Sequence, residues 1–334
     1  MVNKYLVTGL GSMGKRRVRC LLSLGIEKGN IGGFDLREDR RIEASEKYGI
    51  SVFKNIDDVN FSEVKAVIVS LPPDKHSIGA KIAIDHGKPV FIEASVVLED
   101  VLKIRDYNKD RDVFIAPSCT MMYHHAVKDI FDIINSKKYG RVCNFSYHSG
   151  QYLPDWHPWE DVKDYYVGNR ITGGAREIVP FELTWITSFF GFPRETKGYF
   201  RKTIELGCEI EDTYAFTLDY KDMVGSMVVD VAARYAVRNL IINLEKAQIQ
   251  WRWDNREIEL YEAESGRRIF FKQPMSVSAK GYNENIGERM YVDEIRAFFD
   301  GINDRSLYPN TIEKDIGVLK ILGEIENSDG GFNR

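Results

Sequence analysis

Along the first third of the chain, short unbroken apolar runs alternate with stretches whose apolar positions recur every three or four residues. The runs at 4–8, 31–34, 52–53, 64–70, 90–93 and 113–116 are too short for helices and predict buried strands. The intervening stretches at 15–24, 40–48 and 99–108, and the segment carrying Ile78, Ile82 and Ala83, predict helices, with Gly49 as a stop. Strands and helices in this order build a doubly wound parallel sheet ending near Pro117.

After residue 120 the pattern changes. A helix is expected at 126–137, then strands at 141–148, 196–201, 212–220, 225–232, 240–244, 248–252 and 257–261. Tyr214, Phe216 and Leu218 alternate with Ala215, Thr217 and Asp219, so one face is buried and the other less so. Helices are expected at 178–190, 290–303 and 312–325. The reading is an α/β chain of two domains. Residues 1–120 form the parallel domain, and 121–334 form an α/β domain with a largely antiparallel open sheet. The last helix is expected to return to the first domain. The exposed sheet face suits pairing with further copies of the chain.

Composition narrows the function. A net charge of −4 gives no broad basic surface for nucleic acid, and no apolar run is long enough to span a bilayer. The chain enters a strand almost at once, which leaves no room for a signal peptide. Cys20, Cys119, Cys143 and Cys208 are scattered without metal-ligand spacing, so reduced thiols in the cytoplasm and no metal are expected.

The chemistry begins at Gly9-Leu10-Gly11-Ser12-Met13-Gly14, between a strand and a helix. Gly9 permits the tight turn, Gly11 lets the backbone approach a phosphate, and Gly14 lets the helix pack closely on the strand. Asp35 ends the second strand at the spacing where an acid accepts hydrogen bonds from an adenosine ribose. This predicts a dinucleotide site. Asp35 favours NAD by repelling a 2′-phosphate, whereas Arg37, Arg40 and Arg41 keep NADP open.

Further segments resemble the glucose–fructose oxidoreductase / inositol dehydrogenase (Gfo/Idh/MocA) family. They are Ser70-Leu71-Pro72-Pro73-Asp74-Lys75-His76, Gly87-Lys88-Pro89-Val90-Phe91-Ile92-Glu93 and Tyr291-Val292-Asp293-Glu294-Ile295-Arg296-Ala297-Phe298. The resemblance runs over nearly the whole length. It implies an N-terminal Rossmann domain, an NAD(P)-dependent oxidoreductase, and Ser70, Leu71, Pro72, His76, Glu93 and Ala94 on the cofactor side with Gly9 to Gly14, Asp35 and Arg37. Its substrate would be a sugar, a sugar derivative or a cyclic polyol, and its open sheet would pair copies into a homodimer or homotetramer.

Two departures bear on catalysis. Where the family has Glu-Lys-Pro, this chain has Glu93-Ala94-Ser95, so the lysine is gone. Where the family has an Asp and, four residues on, a proton-accepting His, this chain has Glu177 and Phe181. Oxidising a secondary alcohol still needs a base. Glu177 is one candidate, or else a structural carboxylate at a helix start. His124 and His157 are the others. Tyr123, Asp155, Trp156 and Arg176 are candidate substrate contacts, because aromatic faces cover the apolar side of a sugar while polar groups bind its hydroxyls. The loop holding Asp155, Trp156, His157 and Trp159 reads as a sugar lip or as packing. The missing Lys and His also motivate a different reading, a non-catalytic sensor or assembly protein that binds a dinucleotide or sugar.

Overall fold

The computed structural model describes residues 4–158, 160–275 and 287–331, so Trp159 lies outside the described residues. The chain divides into two compact units. One comprises Met1–Thr120 with Glu288–Ile316, and the other Met121–Gly287 with Gly317–Arg334.

The first unit runs β1 (Tyr5–Thr8), α1 (Ser12–Ser23), β2 (Ile31–Phe34), α2 (Glu38–Tyr48), β3 (Ser51–Phe53), β4 (Ala66–Val69), α3 (His76–Asp85), β5 (Val90–Ile92), α4 (Leu98–Asn108) and β6 (Ile115–Pro117). The six strands pair parallel in the order β3-β2-β1-β4-β5-β6. β4 is buried along its length, as an unbroken apolar strand covered on both faces must be. The strand order reverses between β1 and β4. In such sheets a ligand binds at that crevice, outside the C-terminal strand ends. Gly49 ends α2 in the left-handed conformation, with its N–H donating to Ser45 O at 2.8 Å.

The second unit runs α5 (His125–Asn135), β7 (Val142–Tyr152), α6 (Ala175–Phe190), β8 (Glu195–Arg201), β9 (Thr213–Asp219), β10 (Val224–Asp230), β11 (Ala232–Leu244), β12 (Ala247–Arg252), β13 (Glu257–Glu262) and β14 (Arg268–Lys272). These eight strands lie in the order β14-β13-β12-β11-β7-β10-β9-β8, and among them only β10 and β7 pair parallel. The inner face packs on α6. Trp185 meets Tyr147 edge-on at 5.2 Å and Trp251 at 6.5 Å. At its centre Glu182 is fully buried and accepts from Tyr147 Oη, Ser149 Oγ, Trp185 Nε1 and the Arg238 guanidinium. A buried carboxylate needs this many donors to be tolerable.

Three expectations shift. β7 runs on to Tyr152, past the end expected at 148, because β11 begins at Ala232 and pairs there across a register break. β14 is an additional strand. Its apolar core, Ile269-Phe270-Phe271, is too short to alternate visibly. α1 starts at Ser12, inside the glycine turn rather than after it.

Two helices close the chain. α7 (Glu288–Asn303) belongs to the first unit. α8 (Ile312–Ser328) has its residues through Ile316 in the first unit and the remainder in the second.

Candidate functional site

β1 delivers the chain into a turn that only glycine fits. Gly9 sits at φ +85°, and a Cβ there would lie 2.5 Å from Ser70 O. A Cβ on Gly14 would lie 1.8 Å from Gly9 O, so α1 could not begin where it does with any side chain at that position. No side chain caps α1 and its first turn holds no acid. The positive end of the helix therefore faces the turn, a setting suited to an anionic group. The diphosphate of NAD fits this cradle.

Asp35, at the end of β2, is buried and fixed. Its Oδ2 accepts from Leu10 N–H at 2.7 Å and its Oδ1 from Arg37 N–H at 2.8 Å. A carboxylate has about four acceptor sites, so the two oxygens retain capacity for ribose hydroxyls. The Arg37 guanidinium turns away to Asp39, while Arg41 donates to the carbonyls of Asp35 and Leu36.

Glu93 follows β5 and takes a structural part. Arg17 of α1, with no exposed side chain, grips it through two bonds of 2.6 and 2.8 Å. Arg17 also reaches Glu294 of α7 at 2.8 Å, and Glu294 accepts from Ser118 Oγ, Cys119 N–H and Thr120 Oγ1. Ser70 Oγ donates to Glu93 at 3.2 Å. The carboxylate that the resemblance puts beside the coenzyme is thus a strut joining α1, β4, β5 and α7. Ala94 follows it with no polar group. Leu71 and Pro72 lie half-buried after β4, and the carbonyl of Leu71 is 2.9 Å from Nε2 of buried His76. Burial lowers the His76 pKa, which leaves a neutral ring at the start of α3.

In the second unit, Glu177 lies in the first turn of α6. Its Oε1 accepts from Tyr166 Oη at 2.7 Å, and its Oε2 is closed off from solvent with no hydrogen-bond partner among the described residues. Burial pushes its carboxyl up to about 7, against the pull of the Tyr166 bond. Tyr165 packs edge-on to Tyr166 at 6.0 Å, and His157 stacks on Tyr165 at 4.8 Å. His157 Nδ1 stands 3.5 Å from Glu160. Burial and the charges of Glu177 and Glu160 raise the Tyr165 phenol. His157, Tyr165, Tyr166 and Glu177 thus form one contiguous group.

The other candidates fall elsewhere. His124 caps α5, its Nδ1 accepting from Ala126 N–H at 3.2 Å, and its ring packs against Trp251. Burial lowers it to about 3, so it is neutral and suited to capping rather than carrying protons. The Arg176 guanidinium is held by Glu326 at 2.7 Å and by the carbonyl of Ile171. Tyr123 carries the Lys128 ammonium over its ring at 5.4 Å. Asp155 is exposed, and Trp156 Nε1 is buried without a hydrogen-bond partner among the described residues. Among the described residues, no group of three or more His, Cys, Asp or Glu side chains is placed to hold a metal, and no helix is long and apolar enough to cross a membrane.

Comparison with known proteins agrees with the fold. No curated protein matches the chain in sequence. Solved structures share its fold from end to end. An oxidoreductase from Agrobacterium radiobacter, solved with NAD+, L-tartaric acid and magnesium, superposes with a TM-score of 0.82 at 11% identity, over 99% of this chain and 97% of that one. A levoglucosan dehydrogenase with NADH and levoglucosan gives 0.80 at 14% identity, over 98% and 96%. A UDP-N-acetylglucosamine 3-dehydrogenase from Acidithiobacillus ferrooxidans gives 0.76 at 14%, over 97% of each chain. The family model described as "Oxidoreductase family, NAD-binding Rossmann fold" matches residues 3–113. Its first unit is thus similar to the Gfo/Idh/MocA oxidoreductases, whose model is that of an NAD-binding Rossmann fold.

Proposed function

We propose that the protein oxidises a secondary hydroxyl of a sugar, sugar derivative or cyclic polyol, or reduces the matching ketone, with Glu177 as the acid–base group. The observation that carries this reading is the state of Glu177. One oxygen is fixed by Tyr166, the other is desolvated and has no partner among the described residues, and the carboxyl is poised near neutrality. A base works best with a pKa near the operating pH. Ala94 and Phe181 carry no group that can accept a proton, so neither position competes with Glu177 for that role.

The chemistry that bound NAD would supply is acceptance or return of a hydride. The residues of this chain do the rest. The Gly9–Gly14 turn and Asp35 hold the coenzyme, with the Glu93 strut keeping α1 in place. The second oxygen of Glu177 takes the hydroxyl proton as the carbinol carbon loses its hydride, and the substrate leaves as a ketone. Tyr166 keeps Glu177 in one orientation. Trp156 and Tyr165 offer aromatic faces, and the buried Nε1 of Trp156 is a ready donor to a sugar hydroxyl.

The sugar assignment is supported by the names of the dehydrogenases that share the fold. Two further features belong to this reading. The middle of the outward sheet face carries uncharged side chains at Asn144, Ser146, Ser226, Ile241, Asn243 and Gln250, which suits pairing with a second copy. The four free cysteines suit a reducing cytoplasm.

The test is direct. Purified protein with NAD and a panel of hexoses, amino sugars, nucleotide sugars and inositols is followed by absorbance of the reduced nicotinamide. Reduction with at least one polyol supports the assignment. Clear NAD binding with no reduction by any member of a broad panel, and no reverse reaction with the ketones, would overturn it.

A further inference from the structure

With the adenosine ribose at Asp35 and the diphosphate at the Gly9–Gly14 turn, a dinucleotide runs from the end of β2 to the end of β1. Continued in that direction along β3-β2-β1-β4-β5-β6, its other half meets the ends of β4 and β5. Neighbouring strands lie about 4.8 Å apart, so β5 stands about 10 Å beyond β1, within reach of the nicotinamide. The loop after β5 is pinned on both sides of Ala94. Before it, Glu93 is gripped by Arg17. After it, Ser95 is buried, and its hydroxyl bonds to the carboxylate of Asp315 in the first turn of α8. Asn310 also bonds to Asp315, and its Nδ2 donates to the carbonyls of Pro117 and Ser118 at 3.3 Å each. Asp315 thus ties the loop after β5 to the chain leaving β6, and all of these residues belong to the first unit.

The acid is costly where it stands. Its Oδ2 is shut off from solvent with no hydrogen-bond partner among the described residues, and burial pushes the carboxyl up to about 6 against the pull of both bonds. A buried polar group left half-satisfied calls for a reason beyond packing. Position 95 supplies one. A proline there, as in the Glu-Lys-Pro of the resembled family, limits the chain by its ring and has no hydroxyl to bond with Asp315. With serine, the same restraint has to come from a side-chain bond.

We infer that Asp315 is a positioning residue that acts through Ser95, fixing the loop at Ala94 where the nicotinamide half of the coenzyme arrives. The inference rests on the reading that the Gly9–Gly14 turn holds a nicotinamide coenzyme. Asp315 itself touches neither coenzyme nor substrate. It holds the Glu93-Ala94-Ser95 backbone in one place, so that the ring meets a firm surface, while the turn and Asp35 supply most of the affinity.

Titration with NADH separates the two layers, because calorimetry reads affinity and the emission of the bound reduced nicotinamide reads how firmly its ring is held. Ser95→Ala and Asp315→Ala should each lose at least about half of the emission gain on binding, while affinity falls by less than about tenfold, the worth of one hydrogen bond. The double variant should lose no more than the worse single one, because both changes remove the same bond. Asp315→Asn, which keeps an acceptor for Ser95, should retain the wild-type gain. A merely structural pair would lower Tm and leave the emission of bound NADH unchanged. A Ser95→Ala variant whose bound NADH emits as in the wild type, additive losses in the double variant, or an Asp315→Asn variant that loses as much as Asp315→Ala overturns the positioning role. So does a wild type that binds NADH without any emission gain. Failure of NADH to bind the wild type overturns the underlying reading instead.

Discussion

Tyr166 Oη and Glu177 Oε1 lie 2.7 Å apart, and no second donor among the described residues reaches the other oxygen of Glu177. The phenol stabilises the ionised carboxylate while burial opposes ionisation, and burial wins. That balance leaves the group near neutrality, so it can be tested through pH.

If Glu177 is the base, oxidation rises with pH about a midpoint near 7 and levels off above it, because only the ionised carboxylate accepts a proton. Glu177→Gln should lower kcat by about a hundredfold or more, the span expected of a general base, while NAD affinity is unchanged. A pH–rate profile of wild type and variant checks both.

Tyr166→Phe removes the bond that favours the charged form. The midpoint of the pH–rate profile should then move upward, by about one pH unit, with NAD affinity unchanged. A purely structural Tyr166 would lower Tm without moving the midpoint.

Glu177 also links pH to stability. Its folded pKa of about 7 exceeds its ordinary value of 4.5. Its contribution is therefore intact below about 4.5 and is lost as pH rises through 7. Glu177→Gln should match the wild type near pH 4.5 and exceed it above pH 7, by on the order of 3 kcal/mol. Thermal melts at the two pH values show the crossover, and equal differences at both would remove it.

Arg17→Met leaves Glu93 and Glu294 facing each other in the interior without their shared cation. Breaking a buried pair in this way costs about 3–5 kcal/mol, so a large fall in Tm is expected. Arg37→Met, at an exposed pair, should change Tm little.

The glycine turn, Asp35 and the strand–helix alternation could be read from local sequence, because each depends on neighbours or a fixed short spacing. The open antiparallel sheet was legible in the alternation around Tyr214 to Asp219. The strut was not. Arg17 stands in a Lys-Arg-Arg run that reads as solvated, and its partners, Glu93 and Glu294, lie far along the chain. A signal was present, since Arg17 shares a helical stripe with buried Cys20 and Leu21, and Glu294 one with Tyr291 and Phe298. Glu177 stood out as a departure, but its pairing with Tyr166 depends on how the loop before α6 folds back. The surroundings of His124 were hidden for a similar reason. Its sequence position made it a candidate base, and its ring accepts a bond from Ala126 N–H at the start of α5.

The central claim is that the turn from Gly9 to Gly14 holds NAD, and Gly14→Ala tests it most directly, because the added methyl would overlap the carbonyl of Gly9. NAD is titrated calorimetrically into wild type and variant, with circular dichroism confirming that the variant is folded. The wild type should bind saturably, and the variant at least about tenfold more weakly. A wild type that gives no binding heat at millimolar NAD, or a folded variant that binds as tightly as the wild type, would contradict it.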